Sequence, residues 1–519
     1  MKKRFFLLFV LAILVATTLA LVNTALARFS DAYAQIDLLA DIRHEIVATF
    51  VETPDQPAMI EAAVRGMVES LDDPYTVFLS PDEIDTFEKH VRGSFSGIGA
   101  VVHIETTHER LGIVSPLEDS PAWEAGVLAG DLVLEIDGED TKGLNINECV
   151  NRLTGPVGTE VTIKVRHPSD EEELITITRA QINIQTVKGF RRDADHHWDH
   201  MLDPAHGVAY LRITHFTDHT AEAVRAALEQ ILAAEAKGLI LDVRFNAGGL
   251  LPSVVAIADM FLAAGETIVS VKGRAVAEKV YRASGKEMTM DLPIVILANE
   301  RSASAAEILT GALADNGRAR FIGMRTFGKG SVQQYKSLGD NRDQIHGALK
   351  ITNAYYYLPS GRNIHKRDDE PLWGVDPEEG FVVPMSPEQV KTMIETRRES
   401  DVLKHQNEVA EVSPVTGEFL ETTLSDRQLA AAWRAIVGRL ASDSWPAVGE
   451  SGSEQLVLAA ERDKLKRRRD FFREQLELAE EELEELGMPD EPAGDDDSSN
   501  SAIKAQPSPA EEEVEVPQP

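Results

Sequence analysis

The period of the apolar positions changes along the chain. Between about residues 30 and 90, Met59, Ala62, Ala63, Gly66, Met67 and Ser70 form a small or apolar stripe at helical spacing, stopped by Asp72-Asp73-Pro74. That pattern predicts a helical region over 30–92. From Gly93 to about Gln181 the runs shorten to strand length and turns multiply. Gly97-Ile98-Gly99-Ala100-Val101-Val102 opens this stretch and Leu111-Gly112-Ile113-Val114 follows. Ser120-Pro121-Ala122-Trp123-Glu124-Ala125-Gly126-Val127 and Gly130-Asp131-Leu132-Val133-Leu134-Glu135-Ile136-Asp137-Gly138 come next. A helix near Asn145–Leu153 precedes Gly155-Pro156-Val157-Gly158-Thr159, and two alternating strands, Val161–Arg166 and Glu173–Thr178, close a unit over 93–182.

From Gly207 to about Gly361 strands alternate with helices, as in a layered α/β structure. Residues 238–244 (GLILDVR) and 293–298 (PIVILA) are nearly continuous apolar runs, the pattern of strands covered on both faces. Thr220–Ala234 is an amphipathic helix between strands. Residues 365–425 read as a long, partly ordered return segment, and Arg427–Leu440 as a short helix within a C-terminal region over 386–450. Over 451–487, Leu458, Leu465, Phe472, Ala479 and Leu486 recur every seven residues, but Glu461, Arg468, Gln475 and Glu482 hold the alternate core positions. A charged helix follows from that pattern, with only half a coiled-coil seam. After Gly487 the Pro, Asp, Ser and Glu content reads as a disordered acidic tail over 488–519.

Composition sharpens the picture. With 519 residues and 43% hydrophobic content the chain can fill several cores. Its net charge of −34 argues against nucleic acid or an anionic membrane surface as the main partner. Sixteen acidic residues against Lys504 alone lie from Glu474 to the end, so the globular part is only moderately acidic. The single cysteine, Cys149, excludes an internal disulfide and any cysteine-built metal site. Lys2, Lys3 and Arg4 precede an uncharged apolar run, Phe5–Val22, and Ala25-Leu26-Ala27 supplies small residues at signal-peptidase spacing. Residues 1–27 are therefore a cleaved signal or a retained N-terminal membrane anchor, and the remainder is expected outside the cytoplasm, in the periplasm or cell envelope.

Two segments carry candidate chemistry. Residues 298–307 (ANERSASAAE) follow a buried strand and open a helix. A serine at such a turn exposes its hydroxyl, and the amide after it faces the space where an oxyanion forms, with the helix dipole adding favourable potential. Phe327-Gly328-Lys329-Gly330-Ser331-Val332-Gln333 is the second. Lysine serves as a general base for serine only when neutral, which desolvation achieves. Flanking glycines permit tight packing of the Lys329 stem, and Gln333 can hold the amine without adding charge. Each segment also has a plainer reading: Ser304-x-x-Glu307 is a helix capping box, and Lys329 can be a solvated turn lysine. Asp193, Asp195, His196, His197, Asp199 and His200 fit no metal template and read as a solvated hairpin tip.

The motifs over 93–182 resemble a PDZ domain. Such domains add an extended peptide to a sheet edge and hold its terminal carboxylate in loop amides, a role that falls here to Gly97, Ile98, Gly99 and Ala100. From about Asp37 to Val383 the chain resembles the C-terminal processing (tail-specific) protease family, Ser-Lys serine peptidases with a PDZ domain. The resemblance rests on residues 61–67 with Asp73-Pro74-Tyr75, the PDZ unit, residues 208–213 and Leu241-Asp242-Val243-Arg244-Phe245-Asn246-Ala247-Gly248-Gly249-Leu250. It continues through the two chemical segments, residues 349–352 and Pro359-Ser360-Gly361-Arg362.

The resemblance implies an α/β multidomain chain: a layered protease core over 183–385, an inserted PDZ domain built as a partly open β-barrel, and helical N- and C-terminal segments. It implies Ser304 as nucleophile, Lys329 as base 25 residues on and Gln333 as its support, with Ser302 the only rival nucleophile. It assigns the oxyanion amides to Ala305 and the Gly248-Gly249 turn, with no metal or organic cofactor. Protein or peptide substrates with unstructured C-terminal tails are the implied partners, and the terminal helices are candidates for homo-oligomer contacts. Asp315 lies in the family's Asp-Asn-Gly motif. Eleven residues of helix put it roughly 16 Å from Ser304, so it reads as structural. Ala247 stands where a proline is frequent, and Thr154 where many relatives carry arginine. The acidic helix and tail have no counterpart. Two other classes remain at this point, a catalytically silent PDZ scaffold and a thioester-acting enzyme of similar layered fold.

Overall fold

The computed structural model describes residues 36–193, 196–289, 291–338, 347–367, 370, 372–403 and 414–451, and within 462–480 residues 462, 465–466, 468–473 and 475–480. The expected export signal, Asp195, the acidic tail and much of the charged helix lie outside them. The chain divides into two compact units, residues 1–84 with 333–352, and residues 85–332 with 353–519.

In the smaller unit a helix spans 36–49 and a second spans Gln56–Glu69. Asp55 caps the second by accepting Ala58 N–H at 3.1 Å, with Pro57 in its first turn. The short strand Val77–Leu79 pairs antiparallel with Ala348–Lys350. Among the described residues no helix is long and apolar enough to cross a membrane.

The larger unit begins with the PDZ module. Its main sheet contains, in order, Ala100–Glu105, Arg110–Pro116, Leu132–Ile136, Glu160–Arg166 and Glu172–Thr178, all antiparallel. Ser94–Gly97 and Ala180–Asn183 pair beside it. Alternation decides which residues fill the core: Val161, Ile163 and Val165 are buried while their neighbours are not. The helix Ile146–Leu153 is fixed at its start by a full capping box between Asn145 and Glu148, and it buries Cys149 and Leu153. Ala100–Glu105 is an edge strand of this sheet.

The catalytic-type layer is a mixed sheet in the order Val187–Lys188, Val208–Ile213, Gly238–Asp242, Ile294–Ala298 and Ala319–Gly323. The last four strands are mutually parallel. Successive side chains point to opposite faces, so one apolar run serves two cores. Leu239 and Leu241 pack on one side with the helices Thr220–Ala233, Leu251–Ala258 and Ala305–Asp315. Ile240, Val295, Leu297 and Ile322 pack on the other against Leu429, Ala432, Ala435 and Ile436 of the helix Arg427–Ser442.

That second face corrects two sequence expectations. The layer does not end at residue 385, because a parallel sheet needs cover on both faces and residues 427–442 supply it. Nor is 365–425 only a loose return: Pro387–Asp401 is a 15-residue helix, capped by Ser386 and Gln389 with Pro387 at its start. The joint is ionic. Arg244 is fully buried between Asp242, at 2.7 Å, and Asp426, at 2.7 Å, and Arg397 reaches both carboxylates at 2.7 and 3.0 Å. Tyr210 donates to Asp242 at 2.7 Å. The paired guanidinium groups hold Asp242 and Asp426 well below the usual carboxylate range against the opposing effect of burial.

The PDZ module touches this layer at defined points. Arg192 pairs with Glu118 at 2.5 Å, the Trp123 and His196 rings meet edge to face at 5.2 Å, and Leu403 N–H donates to Ser115 Oγ at 3.0 Å. The hairpin Arg191–Arg192 with Trp198–Asp199 is thus not the wholly solvated tip its composition suggests. His200 is buried, with Nδ1 3.2 Å from Tyr210 O, and burial lowers its pKa.

Candidate active site

The carboxyl ends of three neighbouring parallel strands carry the candidate residues, the place where open α/β sheets build sites. Gly238–Asp242 leads to Asn246 and the Gly248-Gly249 turn, Ile294–Ala298 to Ser304, and Ala319–Gly323 to Lys329. Adjacency in the sheet therefore brings together residues that the sequence spreads over more than eighty positions.

Ser304 immediately precedes the helix Ala305–Asp315 and has φ 54° and ψ −112°. An ordinary capping serine takes an extended backbone. A side chain held at positive φ carries strain of about 1–3 kcal/mol, which surrounding structure must over-determine. The strained strand-to-helix serine turn is thus built without the Gly-x-Ser-x-Gly glycines. Ser302, the rival hydroxyl, is fully buried, donates to Val243 O at 2.8 Å and accepts Asn299 N–H at 2.9 Å.

Gly248 packs directly against this turn. A Cβ added there would lie 2.8 Å from Ser304 Cβ and 3.1 Å from Ala305 N. Asn246 orders the loop: its Nδ2 donates to Ile213 O at 2.9 Å, its Oδ1 accepts Gly248 N–H at 2.8 Å, and its carbonyl accepts Ala303 N–H at 2.9 Å. The Gly248 amide is thus committed to Asn246, whereas among the described residues no hydrogen bond engages the Gly249 amide. Ala305 is the first helical residue, whose amide no intrahelical carbonyl reaches.

The lysine segment is packed from both sides. A Cβ at Gly328 would come within 2.6 Å of Trp373, and one at Gly330 within 2.5 Å of His365 N. Tyr356 N–H donates to Gly330 O at 2.7 Å, while the Tyr356 phenol hydrogen-bonds to the Ser304 side chain. Burial, reinforced by Tyr281, pushes that phenol up to about 12 against the lowering effect of Ser304, so it stays protonated.

Sequence reasoning gave Glu307 a cap's role only. Its carboxylate accepts Ser304 N–H at 2.9 Å, half of the expected capping box. It also accepts Thr326 Oγ1–H at 2.6 Å, Gly328 N–H at 2.7 Å and Lys329 N–H at 2.8 Å. The acid is fully buried, and that burial pushes its pKa up to about 7 against the lowering effect of these four donors. A glutamate three residues after a strand-to-helix serine was legible; its reach to a loop some twenty residues on was not.

Asp315 ends the helix and accepts Ser360 N–H at 3.0 Å. Gln333 belongs to the smaller unit, where its Nε2 lies 3.5 Å from Thr352 Oγ1. In the PDZ loop, Ile98 O accepts Ala122 N–H at 2.8 Å, and Gly99 O accepts Leu117 N–H at 2.9 Å and Ser120 Oγ–H at 2.8 Å. Gly97 pairs with Ala180, and Ala100 starts the edge strand that runs beside the helix Ile146–Leu153. Thr154 turns its hydroxyl back to Val150 O at 3.0 Å. Among the described residues no group of three His, Cys, Asp or Glu is arranged to hold a metal ion.

Comparison with known proteins identifies the family. Residues 207–379 match the model of peptidase family S41, residues 112–167 a PDZ domain, and residues 19–83 the N-terminal domain of the activating protease CtpB. A carboxy-terminal-processing protease of Bartonella bacilliformis is 36% identical over 383 residues, covering 72% of this chain and 83% of its own. The carboxy-terminal processing proteases CtpA and CtpB of Bacillus subtilis are 30% and 32% identical, over 71% and 70% of this chain and 76% and 72% of theirs. Among solved structures, a photosystem II D1 C-terminal processing protease is 28% identical, covering 66% of this chain and 86% of its own with a TM-score of 0.38. The chain belongs to the carboxy-terminal processing proteases of peptidase family S41 and is a serine-type endopeptidase carrying a PDZ domain.

Proposed function

We propose that the chain cleaves exported proteins with unstructured C-terminal tails by a Ser304/Lys329 dyad. The observation that carries this reading is the strained Ser304 turn, joined through Glu307 to the backbone of Lys329. A tail end docks at Gly97–Ala100 and adds along the edge strand. Ser304 Oγ attacks a peptide carbonyl carbon as its proton passes to Lys329 Nζ. The amides of Ala305 and of the Gly248-Gly249 turn, with Gly249 the free member, hold the oxyanion. Lys329 returns the proton to the leaving amine, giving an ester on Ser304. Water then attacks the ester, and its proton passes by way of Lys329 to Ser304 Oγ as the acyl product leaves as a carboxylic acid. The N-terminal charge and apolar pattern supports export to the periplasm or cell envelope, with the first 27 residues removed or kept as an anchor.

The test sets the purified chain beside Ser304→Ala with an unfolded protein bearing an apolar C-terminal tail, and follows fragments by mass spectrometry. Cleavage by the first only, with tail binding kept by both, is the expected outcome; cleavage by Ser304→Ala overturns the assignment. Cell fractionation after signal-peptidase inhibition tests the location, and a cytoplasmic chain rejects export.

A further inference from the structure

Glu307 is built beyond the needs of a helix cap, which would take the Ser304 amide alone. We propose that Glu307 is a positioning residue for the reaction, its carboxylate setting the nucleophile's turn against the base's loop. The inference rests on reading Ser304 and Lys329 as nucleophile and base. Oε2 is shared by the two residues themselves, Ser304 N–H at 2.9 Å and Lys329 N–H at 2.8 Å. Oε1 takes Thr326 Oγ1–H at 2.6 Å and Gly328 N–H at 2.7 Å. Thr326 is itself fixed, its Oγ1 accepting Val375 N–H at 2.7 Å.

An ionised carboxylate offers about four lone-pair sites, so these four donors saturate it. A protonated acid gives up one site and sets a hydrogen against a donor already in place. The clasp is therefore complete only as the carboxylate, in a fully buried site where that form is costly. The segment packed on the clasped loop brings His365 against Gly330 and Lys366 against Gly328. Lys329 comes from the clasped loop and Tyr356 from the strand whose phenol meets Ser304. Arg325, one residue before Thr326, is engaged by Asp376 at 2.5 Å. Protonation of Glu307 as pH falls through the neutral range loosens the alignment, and so shapes the acid limb of activity.

The experiment uses the full chain as wild type, Glu307→Gln, Thr326→Val and Thr326→Ser. It measures kcat and KM on an unfolded tailed protein from pH 5.5 to 9, and the rate at which a fluorophosphonate modifies Ser304. Glu307→Gln is expected to lower kcat about 100-fold with KM changed less than about threefold, and to slow modification in parallel. Thr326→Val removes one donor from the ionised acid, so the acid limb moves up by roughly half a unit to one unit, and Thr326→Ser restores it. A folded Glu307→Gln with wild-type kcat and modification rate overturns the proposal. So does a Thr326→Val whose acid limb stays in place, which decides the matter if Glu307→Gln does not fold. An inactive Ser304→Ala beside a fully active Glu307→Gln sinks this inference alone, whereas cleavage by Ser304→Ala sinks the reading beneath it.

Discussion

Ser304 and Lys329 donate their backbone amides to one and the same oxygen, Glu307 Oε2, at 2.9 and 2.8 Å. The two residues are 25 positions apart and come from the ends of adjacent parallel strands, so the shared acceptor fixes backbone to backbone. On the proposed mechanism the side chains are left to do the chemistry.

Lys329→Arg keeps the positive charge and removes the base, because a guanidinium does not deprotonate in a protein. On the proposed mechanism kcat/KM falls by about 10²–10⁴-fold, the range general bases contribute, and Lys329→Ala falls alike. Peptide turnover and fluorophosphonate labelling check this. Retained activity in Lys329→Arg rules the lysine out as base.

Gly248→Ala sets a methyl group at 2.8 Å from Ser304 Cβ and 3.1 Å from Ala305 N, on a backbone with φ of 110°. The turn must shift, and with it the amides proposed to hold the oxyanion. The expected loss in kcat is about 10²–10³-fold, that of one missing oxyanion donor, with tail affinity unchanged. Equal kcat places the oxyanion site elsewhere.

Arg244→Met leaves Asp242 and Asp426 buried with Arg397 as their remaining cationic partner. Unfolding in urea should show a loss of about 3–5 kcal/mol, the cost of breaking a buried pair from one side. The same carboxylates give stability that is present above their ordinary value near 3.8 and is lost as pH falls through their depressed folded values. A loss under about 1 kcal/mol would mean the joint is not maintained in solution.

Glu307 has the opposite sign. Its pKa rises from 4.5 to about 7 on folding, so its contribution to stability is whole below 4.5 and is lost as pH rises through 7. Glutamine does not titrate. Between pH 4.5 and 8 the stability of Glu307→Gln relative to wild type should therefore improve by about 3 kcal/mol, even as activity is lost. Urea titrations at both pH values measure it, and a pH-independent difference refutes the buried, near-neutral acid.

What the sequence disclosed follows from range. Local patterns located the strands Gly238–Asp242 and Ile294–Ala298, the helix Thr220–Ala233 and the serine turn, because each is decided by neighbours within a few positions. The helix Pro387–Asp401 was legible in Ser386-Pro387-x-Gln389 yet hidden by its charged composition. Pairings such as Arg244 with Asp426, 182 positions apart, or Arg192 with Glu118, 74 apart, leave no local trace. Glu307 shows both limits at once, its capping bond near in sequence and its clasp distant.

The helix Arg427–Ser442 is both late in the chain and indispensable to the central layer. Until residues 426–442 emerge, Ile240, Val295, Leu297 and Ile322 lack the larger part of their cover, Leu429 to Ile436, and Arg244 lacks one of its two carboxylates. Ser304 and Lys329 are made long before that. On the proposed reading, the nucleophile and the base therefore sit in a layer that is completed only by a segment made well after them, and a chain cut short before residue 426 would carry both on an unfinished scaffold.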